Sequence, residues 1–177
     1  VTSKEELQWV LRAQCGDREA LEALLSSAQT RLRQYLCGLV GAQQADDVLQ
    51  DVLMAICQNV RGLRVPELFW SWVFRIASRM AFRHLRQERQ RHEEALDPGS
   101  IEQLPASTPQ PSQLMLENML QSNAIPPASK AVLALHFGQG FSLAEVAVAL
   151  DIPVGTVKSR LAAGLAALRS YFQGRSS

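Results

Sequence analysis

The sequence predicts an all-α protein, two small helical domains joined by a flexible linker. Three observations predict it. Apolar residues recur at helical spacing along most of the chain, and no clear strand alternation occurs. Residues 93–111 lose that spacing and set Pro98, Pro105, Pro109 and Pro111 among Ser, Gln and Glu, a composition that buries too little apolar surface to fold. Charge divides along the same line. The 177-residue chain carries only +1 overall, yet residues 1–60 sum to −3, 61–92 to +6, 93–120 to −5 and 121–177 to +3. Two basic blocks parted by an acidic one suit two modules facing a polyanion, with a connection that avoids the same surface.

Ser3 and Glu6 have the spacing of a capping box, in which a hydroxyl and a carboxylate satisfy each other's backbone amides at a helix start. Leu7, Val10 and Leu11 follow on one face, and Gly16 suits the helix end. Asp17 suits the cap of a second helix, with Leu21, Leu24, Leu25, Ala28, Leu32 and Leu36 as its stripe and Gly41 as its close. A third helix is expected from Ala42 to Val60. Its apolar face holds Ala45, Val48, Leu49, Val52, Leu53 and Ile56, and its other face Asp46, Asp47, Gln50 and Asp51. Arg61 to Pro66 is a break, and Pro66 suits a first helical turn because its missing amide would be unpaired there.

The fourth helix is expected from about Glu67 to Gln90, with Phe69, Trp72, Val73, Ile76, Ala77 and Met80 as core stripe. Trp70 and Phe82 lie off that stripe. Arg75, Arg79 and Arg86 fall within roughly 40° of one another at about 100° per residue, with Phe82 beside them. Helical pattern resumes at Ser112 and covers Leu114 to Leu120. Pro126-Pro127 interrupts it, and Ala128 to Phe137 is expected as a helix ended by Gly138-Gln139-Gly140.

The last segment is the most specific. Ser142 and Glu145 form a second capping box, opening a short helix to Leu150. Asp151-Ile152-Pro153 is a tight turn, and a final helix is expected from Val154 to Phe172. Two helices joined by so short a turn, with Ala147 at the crossing and Val146, Leu150, Ile152, Val157 and Leu161 apolar, make a helix-turn-helix pattern. The second helix opens with Gly155, Thr156, Lys158, Ser159 and Arg160, small, hydroxyl-bearing and cationic groups that reach phosphates and guanine edges.

Other classes are weakly supported. No apolar run approaches the roughly 18 residues of a membrane span, so no membrane insertion is expected. Val1 to Glu6 are polar and acidic, so no signal peptide is expected. Cys15, Cys37 and Cys57 are an odd, widely spaced set that suits a reducing cytoplasm. His84, His92 and His136 have no metal-ligand spacing with them, so neither a metal nor another cofactor is expected. Nucleophile motifs and phosphate-cradling glycine loops are missing from the sequence, and no enzymatic activity is expected.

In order along one chain, these motifs resemble the extracytoplasmic-function (group 4) sigma factors of the sigma-70 family. Ala45-Asp46-Asp47-Val48-Leu49-Gln50-Asp51-Val52 is similar to the conserved-region-2 helix that docks on the RNA polymerase clamp. Phe69 to Ala77, followed by His84-Leu85-Arg86, is similar to the promoter-melting helix. Ile125-Pro126-Pro127, Phe141 to Ala147 and Ile152 to Leu161 resemble region 4, the last string most specifically. The chain departs from the family pattern at Arg79 and Arg83, where Asn and Asp are usual, and at Asp151, where Gly is common. Ala162-Ala163-Gly164 also stands where basic residues often continue.

The resemblance implies an alternative sigma factor, a dissociable cytoplasmic subunit that directs RNA polymerase to specific promoters. Residues 1–92 would be the region 2 bundle, 93–111 the linker, and 112–177 the region 4 helix-turn-helix. Asp47, Gln50 and Asp51 would bind core polymerase, whose clamp and flap are the implied contacts. The loop with Arg61, Gly62 and Arg64 would hold a flipped base of the minus-ten element. Arg75, Arg79, Arg83 and Arg86 would bind phosphates, and Trp70 or Phe82 could stack on an unpaired base. Val154, Gly155, Thr156, Lys158, Ser159 and Arg160 would enter the minus-thirty-five major groove. Element centres about 25 base pairs apart lie about 85 Å apart. A linker of 19 residues reaches at most about 65 Å and each small domain adds on the order of 12 Å of radius, so the span is met only with the linker nearly extended in the transcription complex. An anti-sigma factor, often membrane-bound, is the implied regulator.

The residue patterns leave other functions open. The helix-turn-helix also suits a stand-alone transcriptional regulator with a sensory or dimerising N-terminal half. A helical scaffold without DNA contact would need only the amphipathic helices. The acidic face of the third helix and the arginines of the fourth equally suit solvated surfaces, although six arginines against one glutamate over residues 75–91 lean towards an anion.

Overall fold

The structure, a computed structural model, describes residues 2–95 and 125–173. Its helices are α1 (Lys4–Gln14), α2 (Arg18–Val40), α3 (Ala42–Asn59), α4 (Phe69–Ala95), α5 (Pro127–Leu133), α6 (Leu143–Leu150) and α7 (Val154–Gln173). Short 3-10 turns at Val60–Gly62 and Pro66–Leu68 join α3 to α4, and a π turn at Ala134–Gly138 follows α5. No strand occurs among the described residues. The expected linker, apart from its first residues on α4, and the expected helix at 112–120 lie outside the described residues.

Local chemistry sets the helix ends. Both capping boxes form, with the Ser3 hydroxyl accepting from the Glu6 amide and the Ser142 hydroxyl from the Glu145 amide. Asp17 caps α2 through the Ala20 amide, and that bond, aided by Arg12, holds its carboxyl below the usual range. Gly41 turns the chain between α2 and α3 at φ 85°, a left-handed value that suits glycine. Pro66 opens a 3-10 turn rather than the α-helix itself, so α4 starts at Phe69 and runs on to Ala95. The helix expected to end at Phe137 stays α-helical only to Leu133, then widens into the π turn.

Helices α1 to α4 form one bundle. Its core holds Val10, Leu24, Leu32, Leu36, Val52, Ile56, Phe69 and Val73, all fully shielded from solvent. Tyr35 is buried with them, and burial pushes its phenol well above the usual range. Its hydroxyl shares a 2.6 Å hydrogen bond with Ser78, which donates in turn to the Phe74 carbonyl at 2.6 Å. This satisfies polar groups that would otherwise be costly inside. Helices α5 to α7 form a second, smaller group, with Val132, Leu135, Val146 and Val157 inside.

The two groups pack against each other. Helix α6 lies on α4, and α5 on α2. Phe74 meets Phe141 edge-on at a centroid distance of 5.4 Å. Arg31 lies over the Trp70 ring at 3.9 Å, donates to Gln139 at 3.1 Å and pairs with Glu6 at 4.0 Å. This corrects the one-stripe reading of α4. Trp70 and Phe74 lie outside the expected stripe, yet both are buried: Arg31 of α2 lies over Trp70, and Phe74 meets Tyr35 of α2 and Phe141 of the second half.

Gly164 marks a close approach within the second group. A Cβ added there would lie 2.8 Å from Leu133 Cδ1, and Leu133 is itself fully buried. Gly164→Ala gains up to about 1 kcal/mol of helix propensity but overpacks a closed contact that costs about 1–3 kcal/mol. The expected outcome is a net loss of about 1 kcal/mol, read as a lower urea midpoint at unchanged slope; a raised midpoint would show that the contact yields freely.

Candidate nucleic-acid interface

Four surfaces carry the residues singled out by the sequence. The first is the outer face of α3. Asp47, Gln50 and Asp51 are exposed there, while Ala45, Val48, Leu49 and Val52 point inward, as 3.6-residue periodicity requires. Asp46 is tied to Arg33 of α2 at 2.9 Å. A groove of about 650 Å³ runs between α2 and α3 beside these groups. Leu49, Leu53 and Met54 give it an apolar lining, Met54 being half exposed, and Gln50 stands at its edge. An apolar trough rimmed by Asp and Gln suits a partner helix with apolar and basic side chains.

The second surface is the loop after α3. Arg61, Gly62 and Arg64 are exposed. The loop does not hang free, because Gln14 of α1 donates to the Val60 and Leu63 carbonyls at 3.1 and 2.7 Å. One side chain thus fixes both ends of the turn that presents the arginines.

The third surface is the ridge of α4. Arg79, Arg83 and Arg86 are exposed, and Phe82 is half-buried beside them. Arg75 and Arg79 are already engaged. Arg75 donates twice to the Val148 carbonyl, at 3.1 and 2.7 Å, and Arg79 pairs with Asp151 at 2.9 Å. Trp70 is not on this ridge. It is 1% exposed, stacked beneath Arg31 and edge-on to Phe69, so base stacking by Trp70 is excluded in this arrangement. The sequence carried a signal for this. Phe69, Trp70, Trp72, Val73 and Phe74 surround the helix rather than line one side, which is the mark of a helix buried on more than one face.

The fourth surface is the helix-turn-helix, α6 and α7. Asp151 takes the left-handed conformation at φ 56° and closes α6, and Pro153 receives the Thr156 and Val157 amides at the start of α7. Val157 is buried against the rest of the motif. Val154, Gly155, Lys158 and Ser159 are exposed, while Thr156 and Arg160 are half-exposed. The opening turn of α7 therefore presents small, hydroxyl and cationic groups together. Among the described residues there is no cluster of metal-ligating side chains and no helix long and apolar enough to cross a membrane.

With this geometry in place, comparison with known proteins decides the family. The family model for Sigma-70 region 2 matches residues 24–91, and that for Sigma-70, region 4 matches residues 123–170. The chain is an extracytoplasmic-function sigma factor of the sigma-70 family. It is 27% identical over 172 residues to the ECF RNA polymerase sigma factor SigE of Mycolicibacterium smegmatis, covering 92% of this chain and 66% of that protein. It is 27% identical over 174 residues to the RNA polymerase sigma-H factor of Pseudomonas aeruginosa, covering 91% of this chain and 90% of that protein. The sigma factor RpoE of Bartonella quintana, solved with the anti-sigma factor NepR, shares the fold at a TM-score of 0.69 and 19% identity, over 86% of this chain and 96% of that one. The region 2 match runs from within α2 into α4, and the region 4 match covers α5, α6 and most of α7.

The residues that join the two regions were absent from the sequence-based reading of the sites: Arg31, Gln139, Phe141, Val148 and Asp151. Each lies far in sequence from its partner across the interface, and no local periodicity pairs them. Gln14 is a further addition, since a glutamine on a helix gives no sign that it braces a distant loop. Gln14→Ala leaves the Val60 and Leu63 carbonyls without this donor. It is expected to cost about 1 kcal/mol of stability and to speed amide exchange across residues 60–64; unchanged exchange there would show that the loop is held otherwise.

Proposed function

We propose that this chain is the promoter-specificity subunit of a bacterial RNA polymerase, a non-catalytic cytoplasmic factor that binds the core enzyme and reads two promoter elements. The observation that carries the reading is the presence of both sigma-70 modules in order on one chain, region 2 over 24–91 and region 4 over 123–170. A stand-alone regulator needs only the second of them. In this reading Asp47, Gln50 and Asp51, with the groove between α2 and α3, receive basic and apolar groups of the polymerase clamp. The braced loop of Arg61, Gly62 and Arg64 meets the displaced strand at the minus-ten element, with Phe82 available for stacking. Arg75, Arg79, Arg83 and Arg86 take backbone phosphates. The start of α7, Val154 to Arg160, enters the minus-thirty-five major groove, and region 4 also meets the polymerase flap.

An anti-sigma factor is the proposed regulator, supported by the Bartonella relative's structure having been solved with one. Its place here is the same exposed groove between α2 and α3, where it would compete with the clamp.

The deciding experiment is run-off transcription with purified core polymerase on a promoter library. Promoter-specific initiation on adding the chain supports the reading. Binding to a palindrome as a dimer without polymerase supports a stand-alone regulator instead, and indifference to both DNA and polymerase supports a scaffold. At the interface itself, Lys158→Ala is expected to weaken promoter use across sequences and lower the salt slope by about one. Arg160→Ala is expected to cost about 1–3 kcal/mol at a single base pair. Wild-type behaviour of both variants in salt-titrated binding would remove the start of α7 from the interface.

A further inference from the structure

Helix α1 lies outside both family matches, since the region 2 match begins at residue 24, within α2. It carries none of the residues assigned above to DNA or polymerase. Beyond its packing in the bundle, its contacts converge on the loop that presents Arg61, Gly62 and Arg64. We propose that α1 is a positioning element for base capture, in which Gln14 holds the turn at 60–63 in the shape that receives the flipped minus-ten base. This rests on the promoter-reading function proposed above.

Three observations support this role. First, the loop is pinned from α1 and from both of its flanks. The Gln14 amide nitrogen donates to the Val60 and Leu63 carbonyls at 3.1 and 2.7 Å, across a turn whose own bond runs from the Leu63 amide to the Val60 carbonyl at 3.2 Å. Thr2, just before α1, donates its hydroxyl to the Glu67 carbonyl at 2.9 Å. Gly16, just after α1, lies beside Arg61, whose Nη2 is 3.4 Å from where a Cβ on that glycine would stand. The guanidinium thus sits at the C-terminal end of α1, where a helix favours a cation. Second, the chain itself gives Gly62 no reason to be glycine. Its φ is not among the positive ones, and a Cβ there would meet nothing within 4 Å. Glycine also serves where a ligand must come close to the backbone, and the open side of this turn offers that room. Third, the residue type suits the task. A carboxamide carries two N–H donors, one for each end of the turn.

The consequence is pre-organisation. A turn without such bonds gives up conformational freedom as it closes on an extruded base, and that loss weakens capture. With Gln14 in place the turn is already shaped when the duplex opens. Gln14 acts through the turn and touches no nucleotide itself. Its effect is therefore confined to the captured base and does not spread to contacts made elsewhere on the promoter.

The test uses the full-length chain, with core polymerase saturated by it, on a promoter recovered from the run-off library. Each non-template nucleotide of the minus-ten element is made abasic in turn, and heparin-resistant open complexes are counted. At the captured position the wild type is expected to lose about tenfold. Gly62→Ala meets open space and so keeps the fold. It is expected to shrink the penalty at that position alone, which marks it. Gln14→Ala is expected to form about threefold fewer open complexes on the intact promoter and to show a penalty of only about threefold at the marked position, with the other penalties unchanged. A chain that is only destabilised loses the same factor on every template. Gln14→Glu keeps the length of the side chain but offers no donor when ionised, and is expected to behave as Gln14→Ala. A full penalty at the marked position in both Gln14 variants overturns the proposal and leaves the function standing. An equal loss on every template also overturns it, and reduces Gln14 to a structural brace. Wild-type behaviour of Gln14→Glu alone overturns hydrogen bonding as the means. If the wild type initiates but shows no abasic penalty, or Gly62→Ala reduces none, the loop is not the base holder and the proposal falls with it. A wild type that fails to initiate with core enzyme overturns the function itself.

Discussion

The edge-on contact of Phe74 with Phe141 is the interaction on which the arrangement of this chain depends. Both rings are removed from water, and they come from halves whose sequences are separated by the proline-containing acidic segment. Phe74 also packs edge-on to Tyr35 in its own bundle, so the contact between the halves accounts for part of the about 1.5–3 kcal/mol that full burial of each ring contributes, and the ring–ring geometry adds about 0.5–1.5 kcal/mol. The exposed Arg79–Asp151 pair contributes at most about 1 kcal/mol. The aromatic contact therefore holds the halves together. The ionic and carbonyl contacts decide which surfaces meet.

That division has a functional consequence. Helix α4 serves as the wall of the region 2 core, as the seat for region 4 and as the proposed ridge for promoter phosphates. Its aromatic residues meet the first two demands and its arginines the third. Because these groups alternate around a single helix, covering the seat brings the turn of region 4 over Arg75 and Arg79. The outer face of α3 and its groove remain open in the same arrangement. In the proposed reading, the polymerase clamp or an anti-sigma factor would meet this open groove while the halves are still packed together.

Much of the fold was legible in local chemistry. The capping boxes at Ser3 and Ser142, the caps at Asp17 and Gly41, and the helix-turn-helix all follow from side chains within a few residues of one another. The exposed faces of α3 and α7 follow from helical period. Trp70 was misplaced because a single stripe was assigned to a helix with two buried faces. The second face exists only because Phe141 and Arg31, distant in sequence, come to it. The pairing of Arg79 with Asp151 was hidden for the same reason. Each was visible singly as a departure from the family pattern, but nothing local says that the two departures meet.

The closed arrangement is tested most directly by Förster transfer between dyes on α2 and α7 in the full-length chain. The labels go on Glu19→Cys and Ala163→Cys, both at exposed positions, with the native cysteines replaced. Free in solution, the chain should show one narrow high-transfer population. In the complex with core polymerase and promoter DNA, the dyes should separate by tens of ångströms, towards the roughly 85 Å between promoter elements, and transfer should collapse. A broad low-transfer population in the free chain, or high transfer retained in a complex that initiates transcription, would contradict the account.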